Sequence, residues 1–370
     1  MTTLRSPITM ADLPLRPDLR HRRVYGAPQL NVAVRLNTNE NPHSPSSALV
    51  ATITAKIAAA TSNINRYPDR DAVELRTALA EYLSSATGAS LSVQSLWAAN
   101  GSNEILQHLL QAFGGAGRVA MGFTPSYSMH PEIVGTTGTG WVAVPRRADF
   151  ALPNDAEERV AATQPDVLFV CTPNNPTGNG TSSERITTLY DSLDHGILVV
   201  DEAYAEFSSQ PSAVLLLPGR PRLVVSRTMS KAFGFAGARV GYLAADPLVL
   251  HALMLVRLPY HLSALTQAAA RAALAHADEL LATVAAVSAQ RDRILVRLSE
   301  LGANVVSSQA NFVLFAVPSA FGGDQVRCWE ALLARGILIR DVGIPGMLRV
   351  SAGTTDETTQ FLDAMEEISR

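Results

Sequence analysis

Cysteine, long apolar runs, surplus charge and lysine are all scarce in this sequence, and each scarcity narrows what the chain can be. Only two cysteines occur in 370 residues, Cys171 and Cys328. They lie far apart and form neither a CxxC pair nor a metal-ligand cluster, so no disulfide framework and no metal site is expected. Reduced thiols in packed segments suit a cytoplasmic protein. No run of about 18 apolar residues occurs, and so no membrane-spanning helix is expected. The first 23 residues mix Pro, Asp and Arg without an apolar core; no signal peptide is expected, and the location read from the sequence is the cytoplasm. With 30 basic against 33 acidic residues the net charge is −3. That balance provides no basic field for nucleic acid, and neither nucleic acid nor membrane is expected as a partner.

What is present is an ordinary globular composition, 47% hydrophobic and 17% charged, in a chain long enough for two units. Short apolar runs alternate with helix-like segments: Leu96 to Ala99, Val119 to Phe123, Trp141 to Val144, Val167 to Cys171, Ile197 to Val200, Leu223 to Val225 and Val240 to Ala244. Runs of this kind read as strands buried on both faces of a largely parallel sheet, an α/β architecture. Leu49, Ile53 and Ile57 recur every four residues, as do Ile105, Leu109 and Phe113, which predicts helices. Ala- and Leu-rich sequence from Ser263 to Leu301 predicts long helices. Beyond Gly302, strands at Asn311 to Val317, Gly336 to Arg340 and Met347 to Ser351 and a helix at Asp356 to Ile368 predict a smaller α+β unit. The expected division is an N-terminal arm over 1–40, a large domain over 41–260 and a small C-terminal domain over 261–370.

Of the 30 basic residues only Lys56 and Lys231 are lysine. Lys56, in SALVATITAKIAAA, reads as a solvated position on an Ala-rich helix. Lys231, in SRTMSKAFGFAGARVGY, sits among small residues just after an apolar run. Arginine keeps its charge at any accessible pH, whereas a desolvated lysine can lose its proton and become a nucleophile. A lone loop lysine is more often a surface or phosphate-binding group, so its surroundings must decide. ILVVDEAY delivers Asp201 to the carboxyl end of a strand, where open α/β sheets place ligand groups, although an aspartate there can also cap a helix. VLFVCTPNNPTG ends another strand at Asn175, a residue able to serve the turn or a ligand. WAANGSNEIL puts Gly101, Ser102 and Asn103 at the start of a helix, a favourable place for a phosphate. Four strand ends carrying Ser102, Asn175, Asp201 and Lys231 in that order are far stronger than any one of them.

The ordered segments NRYPD, NGSNE, PSY, PNNPTG, DEAY and SKAFGFAGARVG resemble the fold-type I pyridoxal-phosphate aminotransferases over nearly the whole chain. LNTNENP near the start and GILIRDVGIPGMLRVSAGT near the end are similar to the histidinol-phosphate aminotransferase family. The resemblance implies a mostly parallel seven-stranded sheet in a large domain with a smaller α+β C-terminal domain, and pyridoxal 5'-phosphate as cofactor. It implies that Lys231 carries the cofactor covalently and acts as general base, that Asp201 pairs with the ring nitrogen, and that Asn175 and Tyr204 bond its phenolic oxygen. Tyr127 is implied to stack on the ring. Ser102, Asn103, Thr228, Ser230 and Arg239 are implied as phosphate ligands, joined by Tyr67 from a neighbouring subunit in a homodimer with shared sites. Gly101-Ser102-Asn103-Glu104 departs from the family's common Gly-Ala-Asp-Glu; much of that contact comes from backbone amides, so the change is expected to be tolerated.

The same resemblance implies transamination between L-histidinol phosphate and 2-oxoglutarate in histidine biosynthesis. Arg349, Arg340, Asn39, Tyr25 and, from the partner subunit, Tyr260 are implied at the substrate. Arg340 could alternatively make a surface ion pair, and Tyr25 and Tyr260 could be packing aromatics. Three other readings stand beside this one: an aromatic amino-acid aminotransferase, a threonine-phosphate decarboxylase, and a non-enzymatic regulator retaining the fold. Regulators of that kind usually carry a DNA-binding module, and none is expected before residue 30.

Overall fold

A computed structural model describes residues 9–20, 22, 24 and 26–369. The first half contains β1 (Val34–Arg35), α1 (Ser47–Thr61), α2 (Val73–Thr87), β2 (Leu96–Ala99), α3 (Ser102–Phe113) and β3 (Val119–Thr124). It continues with α4 (Met129–Thr136), β4 (Gly140–Pro145), α5 (Ala156–Thr163), β5 (Val167–Cys171) and α6 (Ser183–Asp191). Next come β6 (Ile197–Asp201), β7 (Leu223–Thr228), β8 (Gly241–Ala245), α7 (Pro247–Val256), α8 (Ala264–Leu274) and α9 (Ala277–Glu300). The chain closes with β9 (Phe312–Ala316), α10 (Gln325–Leu333), β10 (Ile337–Leu338), β11 (Arg340–Asp341), β12 (Met347–Ser351) and α11 (Thr355–Ser369).

Seven strands form one sheet in the order β2-β8-β7-β6-β5-β3-β4. Its pairs are parallel except those of β8, which runs antiparallel to β2 and to β7. Alternation explains why the strands read as unbroken apolar runs. Leu168, Val170, Leu198, Val200 and Val225 enter one core with α2 and α8, while Val167, Phe169, Ile197, Val199 and Val224 enter another with α3 and α7. Each side chain so buried contributes about 1.5–3 kcal/mol, and both faces of the sheet gain.

A third core gathers Val34, Leu36, Val287, Ile294, Phe312, Phe315, Val350 and Phe361. It packs α9 and α11 against the antiparallel sheet β11-β12-β9 and the short parallel pair β1-β10. The expected single strand Gly336 to Arg340 is here two: Ile337–Leu338 pairs with Val34–Arg35, and Arg340–Asp341 pairs with β12. Ile339 between them is fully buried, so the chain changes hydrogen-bonding partner around one core anchor. Ala270, Ala273, Leu274 and Leu280 join the core of the large sheet, while Val287 onward belongs to the third core. Helix α9 therefore runs from one core to the other. No single helix among the described residues is long and apolar enough to cross a membrane.

Candidate active site

A cavity of about 400 Å³ lies where β3, β5, β6 and β7 end and is roofed by residues 37–39, Arg340 and Arg349. Asp201 is the last residue of β6 and 2% exposed. Its Oδ2 is hydrogen-bonded to Nε2 of His130, on α4, at 3.1 Å, and that imidazole stacks on Phe169. Oδ1 of Asp201 is buried with no hydrogen-bond partner among the described residues. A buried carboxylate oxygen in that state is costly until a donor reaches it.

Lys231 follows β7 by three residues, and its Nζ donates to the carbonyl oxygen of Thr38 at 3.0 Å. Burial, helped by the guanidinium groups of Arg349 and Arg239 and opposed by Glu40, lowers its pKa to about 8. Loss of water around an ammonium favours the neutral amine. The hydroxyl of Tyr204 accepts N–H bonds from Asn39 at 3.0 Å and from Asn175 at 3.2 Å. Burial raises the pKa of this phenol. With two acceptor positions filled and its proton retained, the hydroxyl is left to donate.

The third wall is built for an anion. Helix α3 is preceded by Gly101 at its N-cap, which offers no side-chain cap, and Ser102 and Asn103 of its first turn line the cavity. Its amide groups and dipole therefore face the site. Gly101 has φ +88°, and a Cβ there would stand 2.7 Å from Nη2 of Arg239. At Gly241 a Cβ would meet the Ser102 nitrogen at 2.2 Å, so only glycine lets β8 approach this turn. Thr228, Ser230 and Arg239 also line the cavity, and Thr228 Oγ1 accepts from the Ser230 amide at 3.1 Å.

On the opposite wall Arg340 and Arg349 are direct cross-strand partners in β11 and β12, and both line the cavity. Arg349 donates to Asn175 Oδ1 at 2.6 Å and to the Asn37 carbonyl at 2.8 Å, and lies over Phe312. Asn39, at φ +55°, is tied to Ser351 through its amide nitrogen and its side-chain oxygen, both at 2.9 Å.

Residues 31–365 match the family model for aminotransferase class I and II. The chain belongs to that family. It is 57% identical over 364 residues to histidinol-phosphate aminotransferase of Mycobacterium sp. (strain JLS), spanning 98% of this chain and 96% of the relative. The corresponding protein of Mycolicibacterium smegmatis is 58% identical over 98% of this chain and 95% of its own length. Among solved structures, histidinol-phosphate aminotransferase from Sinorhizobium meliloti in complex with pyridoxal-5'-phosphate matches with a TM-score of 0.83 at 25% identity, over 98% of this chain and 99% of that one. Thermus thermophilus aspartate aminotransferase with maleate matches at 0.76 and 25% identity, over 92% and 91%. The fold is thus that of the fold-type I aminotransferases.

In this aminotransferase the cavity gathers most of the residues singled out from the sequence: Ser102, Asn103, Tyr127, Asn175, Asp201, Tyr204, Thr228, Ser230, Lys231, Arg239, Asn39, Arg340 and Arg349. Tyr127 donates its hydroxyl proton to Asn103 Oδ1 at 3.1 Å, which gives the departing Ser-Asn pair a local task. Tyr67 and Tyr260 are elsewhere: their rings stack at 4.4 Å on the surface, with Tyr67 80% exposed. Tyr25 lies outside the described residues. Sequence reasoning missed His130, three residues past the Tyr127 it did select, and missed Asn37 and the Thr38 carbonyl. A histidine after PSYS carries no pattern of its own. Nor does any residue type mark a backbone carbonyl as a contact.

Proposed function

We propose that this chain is a pyridoxal 5'-phosphate-dependent transaminase that converts L-histidinol phosphate and 2-oxoglutarate to imidazole-acetol phosphate and L-glutamate. The residues fit the cofactor on one decisive point: Asp201 Oδ1 is a buried carboxylate oxygen awaiting a donor, which a protonated ring nitrogen supplies. His130 fixes the carboxylate from behind. Ser102, Asn103, Thr228, Ser230 and Arg239, which line the cavity, would hold the phosphate, Tyr127 would lie against the ring, and Tyr204 and Asn175 would bond its phenolic oxygen. When bound, the cofactor supplies a sink for the electron pair left as a substrate C–H bond breaks.

Lys231 would anchor the cofactor and, once its amine is free, Nζ would take the α-proton from the substrate and pass it to C4′ of the cofactor rather than back to the substrate. Its depressed pKa keeps a useful fraction neutral near pH 7. The Thr38 carbonyl holds the amine at the cavity wall. Arg349, braced by Asn175 and Asn37, receives the carboxylate of glutamate and 2-oxoglutarate.

The substrate assignment rests on the Arg340–Arg349 pair. Two guanidinium groups directly across a sheet repel one another. A dianionic phosphate ester offsets that repulsion, and an aromatic side chain does not. Asn39 shapes the same wall, and Tyr25 and the partner subunit's Tyr260 are assigned to substrate binding in the same reading.

The proposal includes a homodimer in which Tyr67 reaches the phosphate of the neighbouring site; the exposed Tyr67–Tyr260 stack, with exposed Leu255 and Leu258 shortly before Tyr260 in the chain, supports it. It also includes a cytoplasmic location, in keeping with two buried free thiols. The division into an arm over 1–40, a large domain and a small domain belongs to the same reading, with the second boundary moved from residue 260 into α9 between Leu280 and Val287, because α8 and the start of α9 pack on the large-sheet core. The test compares kcat/KM for histidinol phosphate, phenylalanine and tyrosine with 2-oxoglutarate as acceptor. Preference for histidinol phosphate by at least about tenfold supports the assignment, and preference for either amino acid points to an aromatic aminotransferase.

A further inference from the structure

The strand ends that face the cavity have a second side. Asp201 closes β6 on the cavity side, and the next residue, Glu202, turns to the reverse; on β7 Thr228 faces the cavity and Arg227 the reverse. Behind them lies not apolar core but another cavity, of about 470 Å³, lined by Glu202, Glu206, Arg227 and Tyr82 among others. Packing alone therefore does not hold these strand ends in place.

An ion cluster spans the gap. Arg227 donates from Nε and Nη2 to Glu202 Oε2, at 3.1 and 2.9 Å, and from Nη1 to Glu206 Oε1 at 3.0 Å. All three side chains are at least nine-tenths buried. Glu202 is itself fixed by the Ala213 amide at 2.6 Å and the Ser212 hydroxyl at 2.7 Å. Glu206 sits two residues after Tyr204, in the short 3-10 turn Ala205–Phe207. Each member of the cluster is thus one or two residues from a cavity-facing group: Glu202 from Asp201, Glu206 from Tyr204, Arg227 from Thr228. The backbone ladder of β6 and β7 runs alongside and is prolonged by the Glu202 amide, which donates to the Ser226 carbonyl at 2.8 Å.

We propose that Arg227 is a positioning residue for the cofactor: by bridging Glu202 and Glu206 it sets the relative placement of Asp201, Tyr204 and Thr228. The inference rests on the reading that pyridoxal 5'-phosphate occupies the front cavity. A planar, forked guanidinium is needed because it meets two carboxylates from fixed directions; an ammonium is a single point charge on a flexible stem. Tolerances of about half an ångström separate productive from unproductive placement of such groups.

The test titrates cofactor-free protein with pyridoxal 5'-phosphate and follows visible absorbance, for the wild type, Arg227→Lys and Leu79→Ala. Leu79 is a fully buried residue of α2 that lines neither cavity and serves as a control that loses stability. Arg227→Lys is expected to raise the Kd by at least about tenfold and to shift the pH midpoint of the bound cofactor's absorbance. Leu79→Ala is expected to stay within about twofold at a comparable loss of Tm. An unchanged Kd in Arg227→Lys, or an equal rise in both variants, overturns the proposal. If Arg227→Lys does not fold, Glu206→Gln, which keeps the Arg227–Glu202 pair, is titrated in its place. A rise of about threefold is then expected, and no rise overturns the proposal. Wild-type protein that binds no pyridoxal 5'-phosphate refutes the functional reading instead, so the two failures are distinct.

Discussion

The two faces of the β6 and β7 ends carry the same kinds of residue in opposite states. On the reverse face Arg227, Glu202 and Glu206 satisfy one another and the neighbouring backbone. On the cavity face Asp201 keeps a buried oxygen without a partner among the described residues, and Lys231 is a desolvated amine with a lowered pKa. Buried charge as such does not mark a functional site. What distinguishes the two faces is unfinished bonding, which holds free energy in reserve for a ligand, against closed bonding, which fixes the frame.

Four experiments probe the difference between the two faces. Lys231→Ala, on the open face, is expected to lower kcat by more than about 1,000-fold and to abolish the visible band of the covalently bound cofactor, with little change in the denaturation midpoint. Steady-state turnover at the wild-type rate would remove the lysine from the mechanism. Arg227→Met, on the closed face, leaves two buried carboxylates unpaired and is expected to cost about 3–5 kcal/mol in denaturant unfolding. Adding Glu202→Gln and Glu206→Gln to it should recover much of that loss, since no bare charge then remains buried.

Arg340→Ala is expected to reduce kcat/KM for histidinol phosphate by about 10- to 100-fold, the worth of one or two charge-assisted bonds. Phenylalanine turnover should change by less than about threefold; equal losses would deny Arg340 a phosphate-reading task. The smallest effect is a matter of pH. The neutral amine is the nucleophile, so capture of pyridoxal 5'-phosphate by cofactor-free protein should accelerate as pH rises through about 8. About one Lys231 in ten is neutral at pH 7 on that value. A midpoint near that of an ordinary exposed lysine would contradict the role given to burial.

The sheet was legible because both faces are apolar, so runs such as VLFV and ILVV stand out without any alternation to decode. The same criterion places the ends of Leu96–Ala99 and Val167–Cys171 correctly but stops other runs too early. Strand β6 extends to Asp201 and β7 through Ser226, Arg227 and Thr228, polar residues that hydropathy assigns to loops although they pair in the ladder. Among the described cavity residues, those in tight motifs at strand ends were visible in advance. Asp201 was selected from DEAY and the adjoining Glu202 was not, because one residue faces the ligand and the other the frame. That difference is set by the pleat and by which neighbours arrive from elsewhere in the chain. The roof was hidden for a similar reason: Asn37 and Thr38 reach Arg349 and Lys231 only after β1 pairs with β10, about 300 residues away.

The central claim is that the open face of this sheet carries a cofactor which exchanges an amino group with histidinol phosphate. It is tested most directly by a single half-reaction. Protein loaded with pyridoxal 5'-phosphate is mixed with L-histidinol phosphate in the absence of any keto acid. The account predicts loss of the visible band with formation of one equivalent of ketone per site, and return of the band with release of glutamate when 2-oxoglutarate is added. A band that persists in saturating histidinol phosphate, with no ketone formed, would contradict it.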